Sequence, residues 1–412
     1  MLKKSLVLLV FAVVFLSGAW VAVFAWKNLR GIGPALRPPA GDIARQIEEA
    51  ASQTTSEERR EMERVAENTT GLPLTLPPGF SISIFAKGLG GARVLRGDPR
   101  GNLLVSVPSA GTVLAFRDGK TITLLSGLKK PHGLAFRTVG GATQLYVAEE
   151  HAVSVYDYDT ERLTASNRKT IVTLPSGGGH FTRTLLFQDD RLLISVGSSC
   201  NVCNERDPFR ASVLSVNPDG SDLKEYATGL RNAVFLTTHP ATGKVWATEM
   251  GRDLLGDDLP PDEINMLEEG KNYGWPICYG KNVYDTDFGG QTPVARPLCM
   301  EPFETPSTVD LPAHSAPLGL AFVPTDGWPE EFQGDLLVAF HGSWNRSVPT
   351  GYKIARLTFD PAGTARTAED FIAGWLANDG SALGRPVDLL FHEGALYISD
   401  DKAGVIYRVT SS

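Results

Sequence analysis

The spacing of apolar and polar positions changes three times along the chain. Residues 5–26 (SLVLLVFAVVFLSGAWVAVFAW) are apolar on every side and carry no charge. At ~1.5 Å rise per residue such a helix spans roughly 33 Å, enough for a bilayer core of about 30 Å. An uncleaved membrane anchor is the expectation, with a cleavable signal peptide as the alternative. Residues 31–41 (GIGPALRPPAG) read as a linker. Residues 42–68 are charged and helix-prone, with Thr55 and Glu58 spaced as a capping box. From LPPGF onward, short apolar or alternating runs are separated by Gly, Asp, Asn and Pro clusters, the texture of β-strands and turns. Three segments follow: 1–30, a membrane anchor or signal segment; 31–75, a linker with a polar helix; and 76–412, an all-β domain.

That domain repeats. A turn, a strand ending in a small or acidic residue and a second strand recur in GNLLVSVPSAGTVLAF, TQLYVAEEHAVSVYDY, DRLLISVGSS with VLSVNPDG, GKVWATEMGRD with EINMLEEG, GDLLVAFHGSWNR with YKIARLTFD, and GALYISDDKAGVIYRV. Five of the six follow a similar apolar opening: PHGLAF, TRTLLF, RNAVFL, PLGLAF and RPVDLLF. Six units over about 335 residues leave about 56 each, room for a four-stranded blade with long loops. One small sheet cannot bury both faces, whereas sheets packed in a ring can. The pattern predicts a six-bladed β-propeller, with FSISIFA (residues 80–86) completing the last blade from the N-terminal side.

Charge narrows the partners. The chain carries a formal charge of -8; its first 30 residues hold four bases and no acid, so the rest stands at -12. Such a body does not suit nucleic acid, whose phosphates require neutralisation. No GxGxxG opens a helix after a strand, which argues against a nicotinamide enzyme. The four cysteines allow three pairings, and proximity in sequence favours Cys200–Cys203 and Cys278–Cys299 in an exported protein. A zinc half-site or redox pair at CxxC is the alternative.

The candidate chemistry sits at the start of the repeats. SGGGHFTRTLLF places His180 after three glycines, a costly run unless backbone must bend or approach something closely. In a propeller, equivalent places in each repeat converge on the axis. His180, Arg231 and Arg385 occupy such places, as do His132 and Pro317.

LPPGFSISIFA, SGGGHFTRTLLF, GLRNAVFL, EMGRD with PPDEINMLEEGKNYGWP, HGSWNR with GYKIARL, and GRPVDLLF with LYISDD together resemble the glucose/sorbosone dehydrogenase family, closest to its sorbosone branch. The resemblance implies a six-bladed propeller using pyrroloquinoline quinone (PQQ) and Ca2+ to oxidise a sugar or sugar aldehyde. By it, His180 is the general base, suited by an imidazole pKa near ~6.5. Arg231 assists catalysis, and Arg231 with Asn232 lies beside the cofactor. Arg346, Lys353 and Arg385 are further cofactor contacts. Main-chain carbonyls of Gly251 and Arg252 are the calcium ligands, although an arginine replaces the proline common at that place. The following acids, Asp253, Asp257, Asp258, Asp262 and Glu263, read chiefly as solvated, with Asp262 and Glu263 turning into the next strand; binding a cation is the alternative. His314 and His341 are second-tier site candidates. The enzyme so implied sits at the bacterial cell envelope, its propeller exported, and passes electrons to a membrane quinone or a cytochrome. The competing expectations are a calcium-dependent lactonase-type hydrolase and a non-catalytic binding propeller.

Overall fold

The computed structural model describes residues 2–37, 47, 68–289, 299–360 and 365–411. Among the described residues, six sheets of four or five strands follow one another along the chain, with a separate two-stranded pair, Cys278–Tyr279 and Val283–Tyr284. Blade 1 is Leu95–Gly97, Leu103–Val107, Thr112–Arg117 and Lys120–Leu125. Blade 2 is Leu134–Val139, Ala142–Glu149, Ala152–Asp159 and Thr164–Thr173. Blade 3 is Leu185–Gln188, Arg191–Val196, Ser212–Val216 and Lys224–Thr228, extended by the parallel pair Lys271–Asn272. Blade 4 is Ala233–Thr238, Val245–Glu249, Asp262–Leu267 and Val309–Leu311. Blade 5 is Pro317–Phe322, Leu336–Phe340, Lys353–Phe359 and Ala365–Ile372. Blade 6 is Pro386–His392, Ala395–Asp400 and Val405–Ser411, and its fourth strand is Phe80–Lys87 from the other end of the domain. The six-bladed ring and its N-terminal closure are as the repeats predict.

Burial explains the sequence pattern. The second strands LLVSV and LLVAF are buried at every position, so they read as unbroken apolar runs. The outermost strands alternate weakly or not at all; Thr164–Thr173 is largely exposed. The innermost strands pack edge to edge around the axis. At Gly133 a Cβ would lie 2.4 Å from the Arg183 carbonyl oxygen, and at Gly319 one would lie 2.6 Å from Asp388 Cα. That is why PHGLAF and PLGLAF share their glycine: the neighbouring strand leaves no room for a side chain.

The closing strand is held by aromatic packing. Phe80 is buried against Trp328 and Phe332, with ring centroids 5.0 Å away from each, and against Phe371 at 5.1 Å. Phe80→Ala is expected to destabilise the propeller by about 3–5 kcal/mol, read from the shift in the urea unfolding curve. A loss below about 1 kcal/mol would mean that the ring does not depend on this seam.

Before the ring, Leu2–Asn28 forms one helix. The side chains of residues 1–12 lie outside the described set, and among the described residues no helix is long and apolar enough to cross a membrane. The expected span is therefore not shown. The helix expected over residues 42–68 lies outside the described residues apart from Ile47 and Asn68. Both disulfides pair as proximity suggests, Cys200–Cys203 and Cys278–Cys299. With its sulfurs bonded to each other, the CxxC motif offers no thiolate to a metal.

Candidate active site

Each innermost strand starts on the same face of the ring, where each second strand ends. Residues just before the innermost strands therefore meet there: Arg93 in blade 1, His132 in blade 2, His180 in blade 3, Arg231 and Asn232 in blade 4, and Arg385 in blade 6. The turns that end the second strands bring Ser198, Met250, His341 and Asp401 to the same face.

The glycine run gives His180 its seat. Gly177 and Gly178 have φ of 77° and 88°, a region open chiefly to glycine. A Cβ on Gly178 would lie 2.7 Å from the Ser199 backbone, and Gly179 N–H donates to the Ser199 carbonyl at 2.8 Å. The loop thus lies flat on the segment that ends the second strand of blade 3. His180 Nδ1 is 2.9 Å from the Ser198 carbonyl oxygen and 3.0 Å from Ser198 Oγ. The Ser198 hydroxyl proton is donated to the Cys200 carbonyl at 2.6 Å. A carbonyl can only accept, and this hydroxyl has no proton left, so the contact needs its proton on Nδ1. The neutral imidazole then carries its lone pair on Nε2. Burial, then the Arg231 charge, pushes the His180 pKa down to about 3, so the ring is neutral at working pH but a weaker base than the near-6.5 imidazole expected from the sequence.

Arg231 is only 4% exposed. Its Nε donates to the Asn201 carbonyl at 2.8 Å, Nη2 to Asn201 Oδ1 at 2.9 Å and to Asp253 Oδ2 at 2.8 Å, and Nη1 to the Met250 carbonyl at 3.3 Å. The guanidinium is engaged by protein acceptors on every nitrogen. It clamps the Cys200–Cys203 loop to the loop following Glu249, and its charge bears on His180. Asn232 differs. Its backbone N–H donates to Glu249 and its Nδ2 lies 3.5 Å from Met250 Sδ, but its Oδ1 is buried with no partner among the described residues. A Cβ on Gly197 would meet that Oδ1 at 2.6 Å and His180 Cβ at 2.7 Å, so the two side chains flank one glycine.

Gly251 donates its N–H to Asp262 Oδ1 at 3.0 Å. The Arg252 guanidinium points to buried Asp285, Nη1 to Oδ2 at 2.8 Å, which neutralises its charge. Among the described residues, neither carbonyl of this pair accepts a hydrogen bond. Two free main-chain oxygens with a neutralised arginine suit a hard cation.

The acids that follow are not one solvated group. Asp258 and Asp257 bind Arg346 and Ser347. Asp262 and Glu263 open the third strand of blade 4, as their turn into the next strand predicts, but they are buried and not solvated. Asp262 also accepts from Ser315 Oγ and Ala316 N–H; Glu263 pairs in register with buried Glu249. Burial raises Asp262 and Glu263 to about 7, and Asp388 and Asp400 to about 6. These carboxyls keep protons in the fold that the unfolded chain has released. Their stabilisation is complete below about pH 4 and is lost as pH rises through 6 to 7. Asp401, held well below its usual range despite burial, acts only at the acid end. The buried histidines His180 and His341 act with the opposite sign, because the unfolded chain protonates them below about pH 6.5 and the fold does not, so the two groups offset each other between about pH 5 and 7.

The remaining basic candidates separate. Arg346 sits at the rim, donating to the Ala313 carbonyl at 3.2 Å and to Asp258 at 3.0 Å. Lys353 starts the third strand of blade 5, where Asp370 on the outermost strand takes its ammonium; this directs it away from the axis. Its expected cofactor contact is not supported by that placement. Arg385 is at the axial face, donating to the His341 carbonyl at 3.0 Å and the Gly342 carbonyl at 2.7 Å. Beside it, Asp401 accepts from Arg93 at 2.8 Å and contacts His341 Nε2 at 2.9 Å. Burial, then Arg385, lowers His341 to about 4. His314 is turned to the Gly256 carbonyl at 2.8 Å. Arg93, the blade 1 partner of Asp401, is the site residue that the sequence did not reveal. The available signal was position: Arg93 precedes the short innermost strand of blade 1 as Arg385 precedes that of blade 6.

This face can hold an anionic, oxygen-rich ligand. Arg385 supplies positive charge beside the Arg93–Asp401 ion pair, Asn232 a buried acceptor for a cation or an N–H, Gly251 and Arg252 cation-binding carbonyls, and His180 a neutral imidazole. These residue types fit PQQ with Ca2+.

A protein of Borreliella burgdorferi, described as uncharacterized, is 32% identical over 354 residues, 82% of this chain and 90% of its own. A PQQ-dependent sugar dehydrogenase of Hypocrea jecorina is 26% identical over 410 residues, covering 84% of this chain and 92% of that one. Among solved structures, the holo form of the pyranose dehydrogenase PQQ domain from Coprinopsis cinerea superposes with a TM-score of 0.69 at 23% identity, over 82% of this chain and 97% of that domain. That likeness supports the propeller fold. The family model described as TrAA12-like matches residues 74–412, and the chain belongs to that family.

Proposed function

We propose that this protein oxidises a sugar or sugar aldehyde with PQQ and Ca2+. The observation that carries the reading is His180: a buried imidazole held neutral, its Nδ1 proton fixed on Ser198 and its Nε2 left as an acceptor on a face ringed by arginines. PQQ, when bound, supplies a two-electron acceptor for hydride from the carbinol carbon. His180 Nε2 takes the proton from the substrate hydroxyl. Arg385, beside the Arg93–Asp401 pair, offers charge to the carboxylates of the cofactor. The carbonyls of Gly251 and Arg252 offer oxygens to calcium. Arg231 keeps the two site loops together. The names of the Hypocrea jecorina and Coprinopsis cinerea relatives support the PQQ and sugar assignments. The narrower choice of a sorbosone-type aldehyde rests on the sequence blocks alone.

We further propose a location at the bacterial envelope, with Leu2–Asn28 as a tether and a membrane quinone or cytochrome as electron acceptor. Supporting this, Val13, Phe15, Leu16, Trp20, Val21 and Trp26 of the helix are exposed.

The test is dye reduction by purified protein supplied with PQQ, Ca2+ and a panel of aldoses and sugar aldehydes. Turnover is expected only with all three components and should vanish with a calcium chelator. Lactone hydrolysis without PQQ, and no dye reduction, would overturn the reading.

A further inference from the structure

Two arginines outside the axial set, Arg183 and Arg210, hold the glycine loop. Arg183 is 0% exposed, and its Nη2 donates to the Pro175 carbonyl at 2.7 Å. Its Nη1 reaches the Thr182 carbonyl at 2.7 Å and the His180 carbonyl at 3.2 Å. Arg210 is 7% exposed, and its Nη2 donates to the Gly177 carbonyl at 2.6 Å. From the other side, Glu150 accepts the Gly177 N–H at 3.2 Å. Among the described residues neither guanidinium has a carboxylate within salt-bridge distance, and Arg183 Nε and Arg210 Nη1 are buried without partners. Burying a cation away from a counter-ion is costly. Neutral donors could satisfy the same carbonyls, so a purely architectural role leaves the two charges unexplained.

We infer that Arg183 and Arg210 are positioning residues: together they fix the loop at residues 175–180 so that His180 keeps its Nδ1–H on Ser198 and presents Nε2 to the site. Their catalytic relevance rests on the reading of His180 as the base. Both charges also oppose protonation of the ring, after burial and Arg231. The acids facing the loop do not touch the ring, whose contacts are to Ser198. Glu150 is on Lys130, Glu205 on Ser199, Glu249 on the Asn232 N–H and Asp253 on Arg231.

The experiment is 15N NMR of histidine-labelled full-length apo-protein, with the His180 signal assigned by its disappearance in His180→Gln. Wild type is expected to show a single Nδ1–H tautomer. In Arg183→Gln and Arg210→Gln the tautomers should become mixed and the protonation midpoint should rise by about one unit. Arg210→Lys, which keeps the charge, should restore the low midpoint. If Arg183→Gln does not fold, Arg210→Gln carries the test alone. A single Nδ1–H tautomer with an unmoved midpoint in the folded variants overturns the inference, even if they are less stable. The readout needs no PQQ, so failed dye reduction in wild type would count against the proposed function and not against this inference.

Discussion

His180→Gln is expected to lower kcat by about 10²–10⁴-fold while leaving PQQ binding intact. Glutamine can still donate to the Ser198 carbonyl, so the loop keeps its shape, but it has no basic nitrogen to take the substrate proton. The effect belongs to kcat because the residue's contribution is proton removal and not attachment of the cofactor. Single-turnover measurements on loaded protein would show it directly. A variant that keeps wild-type kcat would remove His180 from the chemistry.

Arg231→Ala is expected to cost about 3–5 kcal/mol of stability, because it strips a buried guanidinium from Asp253, Asn201 and the Met250 carbonyl at once. Denaturant unfolding measures the loss. The variant should also bind calcium more weakly, since the loop carrying Gly251 and Arg252 is released from the Cys200–Cys203 loop. Arg231→Lys can satisfy one or two of these acceptors and should fall between. Unfolding within about 1 kcal/mol of wild type would show that the clamp carries no weight.

The architecture was legible wherever burial is continuous. Second strands such as LLVSV and LLVAF stand out because both faces are covered, and the five apolar openings stand out because the innermost strands line the axis. The blade 1 opening escaped because Leu95–Gly97 is three residues long and includes an arginine. Outer strands such as Thr164–Thr173 escaped because exposure removes the apolar signal.

At the site, equivalent positions in the repeats brought His180, Arg231, Asn232 and Arg385 to one face. What each side chain does there was not legible, because partners come from distant segments. Arg93 meets Asp401 across 308 residues of sequence, and Asp262 braces Ala316 across 54. Lys353 looked basic and close to the right block, yet strand alternation and Asp370 direct it outward. Arg231 illustrates the same limit: its position was readable, whereas its commitment to Asn201 and Asp253 needed the folded loops.

Binding of PQQ at this face is the central claim. Titrating apo-protein with PQQ at fixed calcium, followed by the absorbance of the quinone, tests that most directly. Saturation at one equivalent, abolished by chelating the metal and preserved in His180→Gln, is the predicted result. A spectrum that never departs from free PQQ would contradict it.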